Sequence, residues 1–367
     1  MTGGGPPAAG RPRSSRTSRV LWLGYAVLAV AATLLALAHR PGGPPAPSGT
    51  GQGDPSLECA TPTKGCPVVL AAPVPPRPAP PSAPAPGPLS PPPSSVGPVH
   101  AAVRSAVPPS FTLRVLQMNL CNSGQAPDCY TGGRSVAEAA AKIAEFEPDV
   151  VTLNEVCQRD VLGPLFRAMA AGHASDAVVA AFEPAWNRPH RAPYRCTDGD
   201  SYGDGLIARV PAAGYRHGFV SGGTYPEAMQ DQSDDEERGW VCVDMSARYY
   251  ACTSHLVAHH PDLAARQCDE LMGADVPGFV GAHGSAAPVI VGSDFNLVDN
   301  GGAAYDVNAC APDGFYVEDD PAQPGVEPQH FMVSRALALR DLVDLDMQRT
   351  TDHPGLLITV QAGGGSP

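Results

Sequence analysis

The residues of this chain that could carry out chemistry stand at the ends of short apolar segments. Val289–Val291 is followed by Gly292 and then by Asp294 and Asn296, one residue apart. Three β-branched residues in a row indicate a buried strand. An acid and an amide at the end of a buried strand are unfavourable unless they bond or bind something. Taken alone, the pattern also fits a strand-end turn in which both side chains bond nearby backbone.

Four other apolar segments end or begin with the same kind of group. With Asp294 and Asn296 they form a set of three carboxylates, two amides and two imidazoles, the other members being Asn119, Glu155, His255, Asp352 and His353. Mg²⁺ prefers oxygen ligands. Phosphoryl transfer needs a metal to hold phosphate charge, a group that orients water and an acid for the leaving oxygen. If the strand ends converge, this set has a candidate for each requirement.

The elements that must position these groups alternate between strands and helices. Ordered structure is predicted to begin near Phe111. A helix followed by a strand that ends on an acid is an α/β pattern. The predicted strands are 113–119, 149–155, 206–207, a hairpin of 239–245 with 248–256, 289–291, 331–333 and 356–360. The predicted helices cover about 135–146, 160–171 and 261–272.

Five sequence blocks together resemble the endonuclease/exonuclease/phosphatase superfamily, also called DNase I-like. They occur in the family's order over about residues 111–362, and five ordered matches are a specific signal, although each alone is weak. The resemblance implies an α/β fold, a DNase I-like four-layer sandwich of two packed mixed sheets flanked by helices. The blocks are Val115-Leu116-Gln117-Met118-Asn119, Leu153-Asn154-Glu155-Val156-Cys157, Thr253-Ser254-His255-Leu256, Gly292-Ser293-Asp294-Phe295-Asn296 and Thr351-Asp352-His353-Pro354.

The resemblance also implies a metal site and a water site. Glu155 would be the principal ligand of Mg²⁺ or Mn²⁺, with Asn119 and Asp352 near the metal. Asp294 would orient or deprotonate the attacking water. Asn296 would hold that water and the phosphate.

The two histidines of the set are implied as catalytic residues. His255 and His353 would contact the phosphate, stabilise its developing charge and help to protonate the leaving oxygen. Family members usually carry an acid that orients the last histidine, and Gln329 stands in its aligned place. Without that charge His353 should be less basic and the enzyme slow, and Gln329→Asp should raise turnover. A neighbouring acid such as Glu327 is the alternative partner.

Two charged segments lie between the predicted helix at 160–171 and the predicted hairpin that begins at residue 239. Arg188, Arg191 and Arg195 form a basic cluster interleaved with aromatic residues, which fits a surface loop or weak substrate contacts. The acidic run from Asp231 to Arg238 is interpreted as a solvated loop.

Composition restricts the partners of the chain. Its 367 residues include 24 Lys+Arg and 37 Asp+Glu, a net charge of −13. The negative electrostatic field of such a surface does not attract nucleic acid, but a divalent cation can still bind phosphate locally.

The expected function is an exported divalent-metal-dependent hydrolase of phosphodiester or phosphomonoester bonds, acting as a monomeric domain on nucleic acid, phospholipid or a small phosphate ester. The alternative is a catalytically weakened, surface-displayed binding module of the same fold.

The amino-terminal part predicts export. A basic segment, residues 1–19, precedes an apolar run at 20–38, which is a signal anchor through the membrane or a signal peptide cleaved near Ala38. A disordered Pro/Ala/Gly-rich spacer, 39–109, leads to the domain at 110–362 and a tail at 363–367. Either form of the apolar run places the domain outside the cytoplasm.

Ten cysteines support an oxidising compartment. Local spacing predicts disulfides Cys121–Cys129 and Cys242–Cys252, the latter across the hairpin. The cysteines that remain suggest Cys157–Cys196 and Cys268–Cys310. Cys59 and Cys66, inside the spacer, are candidates for a small closed loop. The cysteine spacing near the first two blocks is similar to that of exported bacterial members of the superfamily.

Overall fold

The computed structural model describes residues 68–71, 110–216, 218–246, 248–284, 286–319 and 325–363. Within these ranges the strands are β1 (Val68–Ala71), β2 (Phe111–Asn119), β3 (Val150–Cys157), β4 (Asp176–Pro184), β5 (Trp186–Asn187), β6 (Ala192–Pro193), β7 (Tyr202–Pro211), β8 (Gly218–Thr224), β9 (Glu236–Glu237), β10 (Gly239–Met245), β11 (Tyr250–Ser254), β12 (Val289–Asp294), β13 (Phe315–Glu318), β14 (Gln329–Ser334), β15 (Leu337–Leu345) and β16 (Gly355–Ala362).

These strands form two large mixed sheets and one small sheet. The seven-stranded sheet has the order β1-β4-β7-β3-β2-β16-β15, the six-stranded sheet has the order β13-β14-β12-β11-β10-β8, and β6-β5-β9 form the small one. Strands β2 and β3 are parallel, as are β11 and β12. The carboxyl ends of parallel neighbours lie at the same edge of a sheet. Each large sheet therefore brings two of the predicted chemical groups to one edge.

Helices cover the outer face of each large sheet. The described helices are α1 (Arg134–Phe146), α2 (Gln158–Asp160), which continues through a π-helical turn at Val161–Leu165 into α3 (Phe166–Ala170), α4 (Pro261–Glu270), and, after a second π-helical turn at Leu271–Asp275, α5 (Val276–His283). Short 3₁₀ turns occur at Ala212–Gly214, Glu227–Met229 and Val307–Cys310. Helices α1 to α3 pack on the seven-stranded sheet, and α4 and α5 pack on the six-stranded sheet.

A separate core fills the space between the two large sheets. Its residues come from strands of both sheets, and all are buried. Gly292 of β12 is one point of close approach, because a Cβ there would lie 2.4 Å from Thr152 Oγ1 of β3. With helices outside and two sheets inside, the architecture is the four-layer α/β sandwich that the sequence predicts.

The structure contains several strands that the sequence interpretation did not predict, among them β1, β4, β8, β13 and β15. Val68–Ala71, inside the predicted spacer, forms an edge strand that pairs antiparallel with β4. Its four residues are VVLA, an apolar β-prone run. Strand β15 was also not predicted. It is nine residues long and pairs antiparallel with β16 at the edge of the seven-stranded sheet.

The amino-terminal predictions fall largely outside the described residues. These include the basic segment, the apolar run at 20–38, and the Cys59/Cys66 pair. In the part of the chain that the structure does describe, no helix has the length and apolarity needed to cross a membrane.

Four disulfides lie within the described domain. They are the four predicted pairs, Cys121–Cys129, Cys157–Cys196, Cys242–Cys252 and Cys268–Cys310. Cys242 and Cys252 occupy directly opposed positions of the β10–β11 hairpin, with Cα atoms 4.1 Å apart. No free cysteine occurs among the residues described.

Candidate active site

A buried polar network forms the floor of the site and joins the two large sheets. Its centre is Asn154 of β3, which is fully buried. The Asn154 amide nitrogen donates to Asp204 Oδ1 at 2.9 Å and to the Ser254 carbonyl at 2.8 Å. Its Oδ1 accepts from the Asp294 backbone N–H at 2.8 Å and from Gln117 Nε2 at 2.7 Å. One amide side chain therefore fixes the ends of β3, β11 and β12 relative to each other.

Glu155 enters the site from a β-bulge. The pairing of β3 with β7 shifts between Leu153 and Val156, and Glu155 adopts a left-handed backbone with φ 54°. Non-glycine residues in this region are strained by about 1–3 kcal/mol, and such strain clusters at functional sites. Burial raises the pKa of Glu155, opposed by a hydrogen bond from Asn119 and reinforced by the nearby charge of Asp294.

Asn119, at the end of β2, bridges two carboxylates. Its Nδ2 donates to Glu155 Oε1 at 3.0 Å and to Asp294 Oδ2 at 2.9 Å. Its Oδ1 accepts from the Cys121 backbone N–H at 3.1 Å. In this orientation the Asn119 side chain holds the two carboxylates together. Its place beside a metal stays a prediction.

Asp294 lies at the centre of the site and is 1% exposed. Its Oδ2 is 3.8 Å from Nε2 of His255 and 3.8 Å from Nε2 of His353. Its Oδ1 accepts from the backbone N–H of Asn296 at 3.1 Å. Asn296 also has a positive φ, and its amide nitrogen donates to the Leu256 carbonyl at 2.8 Å. The last bond orients the Asn296 side chain from the β11 side.

His353 is held by Glu327. The His353 Nδ1–H donates to Glu327 Oε1 at 2.9 Å. Burial lowers the pKa of His353, but the hydrogen bond to Glu327 and the charges of Asp294, Glu327 and Asp352 outweigh it and raise the pKa to about 9. His353 is therefore a cation at neutral pH. The prediction of a weakly basic His353 is wrong because a carboxylate does occupy the orienting place, two residues before the aligned position.

Gln329 has a different position from the one predicted. Its Nε2 donates to Glu327 Oε1 at 3.2 Å and to the Pro354 carbonyl at 2.9 Å. Its Oε1 accepts from the Asn119 backbone N–H at 2.9 Å and from Gln117 Nε2 at 3.2 Å. Gln329 thus holds the acid that holds His353, and it ties β14 to β2.

His255, just after β11, is buried and neutral. Burial and the adjacent Arg238 guanidinium lower its pKa to about 3, against the opposing charge of Asp294. Arg238 Nη1 lies 2.6 Å from His255 Nδ1, and His255 Nε2 faces Glu155 Oε1 at 3.9 Å. The environments of the two histidines push their pKa values in opposite directions, a common feature of acid–base sites.

Asp352 and the arginine cluster lie at the periphery. The Asp352 side chain is 56% exposed, and its Oδ1 lies 4.0 Å from His353 Nε2. Arg188 donates to the backbone carbonyls of Asp231 and Asp234 at 2.6 and 2.8 Å. That guanidinium is therefore used to hold a loop, which argues against its predicted substrate contact.

The other two arginines of the cluster are exposed. Arg191 lies in the turn between β5 and β6 and has a positive φ. Arg195 Nη1 donates to the Gly199 carbonyl at 3.4 Å and to Ser201 Oγ at 3.3 Å. Both contacts stay within the local loop.

Glu155 and Asp294 fit a hard divalent cation. Burial and the charge of Asp294 raise the pKa of Glu155, so a positive ion beside Glu155 would favour its charged form. Glu155 would hold the ion. Asp352, the other predicted carboxylate ligand, is exposed and lies beside His353.

Two residues that shape the site were missed from the sequence. Asn154 belongs to a matched block but received no role. Arg238 closes the acidic run that was interpreted as a solvated loop, yet Arg238 is 8% exposed and Glu237 is 4% exposed. The signal available was a charged pair placed directly against the apolar strand β10.

The architecture defines the fold class of the chain. The chain has the endonuclease/exonuclease/phosphatase fold, the DNase I-like sandwich that the five blocks predict. No family model and no curated protein sequence matches it.

Solved structures similar to the chain include an endonuclease/exonuclease/phosphatase from Beutenbergia cavernae, at 18% identity over 69% of this chain and 72% of that chain, with a TM-score of 0.50. The human Nocturnin catalytic domain with bound sulfate matches at 15% identity over 68% and 93%, with a TM-score of 0.49. ANGEL2, a 2',3'-cyclic phosphatase, in complex with adenosine-2',3'-vanadate, matches at 12% identity over 70% and 97%, also with 0.49. The Beutenbergia cavernae structure supports the shared fold. The other two have TM-scores below 0.5 and are not used to support it.

Proposed function

We propose that this protein is a divalent-metal-dependent hydrolase of phosphodiester or phosphomonoester bonds. The observation that carries the proposal is the buried Asp294 carboxylate, 3.8 Å from Nε2 of a neutral histidine and 3.8 Å from Nε2 of a cationic one. A carboxylate base, a proton donor and a hydrogen-bond donor around one point are the parts that phosphoryl transfer to water needs.

Each side chain then has one task. Asp294 orients the attacking water and accepts its proton, while the Asn296 amide helps to fix that water. As the bond between phosphorus and the leaving oxygen breaks, the Nε2 proton of His353 passes to that oxygen. His255 Nε2–H donates a hydrogen bond to a phosphate oxygen. A bound Mg²⁺ or Mn²⁺ at Glu155 would neutralise phosphate charge.

The alternative of a weakened binding module loses its support. It rested on Gln329 standing in place of an acid, and Glu327 supplies that acid at 2.9 Å from His353 Nδ1. The substrate class stays open between nucleic acid, phospholipid head groups and small phosphate esters. Arg188, engaged by backbone carbonyls, no longer favours long nucleic acid.

We also propose that the domain works outside the cytoplasm. Four disulfides in the described domain support this, since such bonds persist in oxidising compartments. Either a membrane anchor or secretion after cleavage near Ala38 would deliver it there.

A substrate panel with a metal control tests the activity. The purified chain is incubated with DNA, RNA, sphingomyelin and inositol phosphates, each with Mg²⁺, with Mn²⁺ and with excess EDTA. We expect hydrolysis of at least one class, abolished by EDTA and by Glu155→Gln. Glu270→Gln, on α4 outside the site, is the matched control and should retain activity. Full hydrolysis in EDTA would exclude the metal, and no hydrolysis of any class would overturn the proposed function.

A further inference from the structure

Arg238 is a buried cation whose contacts reach a candidate catalytic residue. It lies between β9 and β10 at the end of the acidic run and is 8% exposed. Its Nη1 is 2.6 Å from His255 Nδ1 and 3.1 Å from Glu236 Oε1. The Glu236 carboxylate compensates the buried guanidinium charge, which would otherwise be unfavourable.

The chemistry of the guanidinium determines which nitrogen of His255 carries the proton. Arginine has five N–H donors and no acceptor, and it stays protonated in proteins. His255 Nδ1 must therefore accept, which it can do only without a proton. In the neutral imidazole the proton is then on Nε2. That nitrogen faces Glu155 Oε1 at 3.9 Å and Asp294 Oδ2 at 3.8 Å.

We propose that Arg238 is a positioning residue that fixes His255 as a neutral Nε2–H donor aimed at a phosphate oxygen. Its counterpart is Glu327, whose carboxylate accepts from His353 Nδ1 at 2.9 Å. The two histidines thus have partners of opposite charge at the same ring nitrogen, a guanidinium for His255 and a carboxylate for His353. This inference rests on the proposed phosphoesterase function.

Gln230 holds the backbone of Arg238, and Gln267 anchors the neighbouring segments. Gln230 Oε1 accepts from the Arg238 backbone N–H at 2.8 Å, and its Nε2 donates to the Arg238 carbonyl at 2.9 Å. Gln267 of α4 donates to the Met229 carbonyl at 2.9 Å and accepts from the Val257 backbone N–H at 2.8 Å. The loop before Arg238 and the segment after His255 are therefore anchored to the same helix. Such anchoring is expected of a contact that must keep its geometry.

The proton on His255 can be measured without substrate. In the full chain labelled with ¹⁵N-histidine, nitrogen shifts distinguish a protonated ring nitrogen from an unprotonated one, and His255→Ala assigns the signals. We expect Nε2 protonated and Nδ1 unprotonated at neutral pH. Arg238→Lys, which keeps a donor and a charge, should preserve this tautomer, whereas Arg238→Met should lose it.

Kinetics test whether Arg238 acts through His255. On a substrate identified in the panel above, Arg238→Met should lower kcat by about 10²-fold, the usual effect of losing one oriented donor. In a His255→Ala background the same substitution should change kcat less than about 2-fold, because coupled residues are not additive. Arg209→Met is the control, since Arg209 is another buried arginine and lies near Asp149, outside the site. It should lower thermal stability and leave the His255 signals and kcat unchanged.

The outcomes separate this inference from the proposed function. A proton on Nδ1 of His255 in the unsubstituted protein overturns the role of Arg238, whether or not the protein is active. Equal losses from Arg238→Met with and without His255 also overturn it. The expected tautomer together with inactivity on every phosphate ester would leave Arg238 as the holder of His255 and refute the phosphoesterase. If Arg238→Met does not fold, the tautomer of His255 in the unsubstituted protein and in Arg238→Lys still tests the role of Arg238.

Discussion

Replacing Glu327 by glutamine removes the charge beside His353 and keeps the size of the side chain. The amide oxygen of Gln can still accept the Nδ1–H bond that Glu327 Oε1 accepts at 2.9 Å. His353 should therefore keep its orientation and lose the opposite charge that favours its cationic form. The variant separates the electrostatic role of Glu327 from its geometric role.

The size of the effect follows from the pKa of His353. Against burial, which lowers it, the hydrogen bond and charge of Glu327, with the charges of Asp294 and Asp352, raise that pKa from 6.5 to about 9. This rise corresponds to about 3 kcal/mol in favour of the cation. If the variant returns to about 6.5, the protonated fraction near pH 8 falls from about nine-tenths to about three-hundredths. Activity that needs the cation should then fall roughly 30-fold at pH 8 and less than about 2-fold at pH 6.

The assay is kcat/KM against pH at saturating Mg²⁺ for both proteins. An alkyl phosphate ester, whose leaving oxygen needs a proton, should show the full pH-dependent loss. A p-nitrophenyl ester, whose leaving group departs without a proton, should show a much smaller loss. Glu270→Gln, on α4, is the charge-matched control.

Stability gives an independent measure of the same interaction. Because the folded pKa of His353 is raised, its contribution is fully present below about pH 6.5 and is lost as pH rises through about 9. The free energy of unfolding should therefore fall over this range in the unsubstituted protein and much less in Glu327→Gln. A pH-independent loss of activity, equal for both leaving groups, would refute the role of His353 as the proton donor.

Three further predictions concern the surroundings of this pair. Asp294→Asn should lower turnover by at least ~10²-fold while the folded circular-dichroism spectrum is retained, because an amide cannot accept the proton of the attacking water; near-normal rates would show that the base lies elsewhere. Gln329→Asp, which the alignment alone favours as an activating change, should instead lower turnover by ~10-fold or more, since a second buried carboxylate would repel Glu327 and lose the donor at 3.2 Å; a rise in turnover contradicts this. Peptide mapping of the unreduced protein should recover Cys242 linked to Cys252, and replacing both by Ala should lower the free energy of unfolding by ~2–4 kcal/mol, whereas free thiols there would contradict the hairpin.

Short sequence blocks and local cysteine spacing predicted the fold and part of the disulfide pattern. Five blocks in one order resemble the DNase I-like superfamily, and the four-layer sandwich was predicted through that resemblance. The hairpin disulfide followed from two cysteines placed symmetrically about a turn, and the structure pairs Cys242 directly with Cys252. Strand β15 was not predicted from the sequence because its alternation of apolar and polar residues is weak and its burial depends on β16.

The partner of His353 shows where local alignment fails. Residues two apart in an extended segment point to the same side, so Glu327 and Gln329 both face the site. The register of β14 on β12, with Gln329 opposite Asp294, places Gln329 on the floor and Glu327 one step nearer to His353. A sequence shows both residues but not which of them reaches the ring.

The sequence by itself determined the set of chemical groups, the order along the chain of the strands that carry them, and the two cysteine pairs that lie close in sequence, Cys121–Cys129 and Cys242–Cys252. Only the tertiary structure decided the protonation of the two histidines. Each depends on a partner brought from a distant segment, Arg238 for His255 and Glu327 for His353, and on burial that strengthens the interaction. Donor and acceptor roles are properties of contacts, and these contacts exist only when the edges of the two sheets meet.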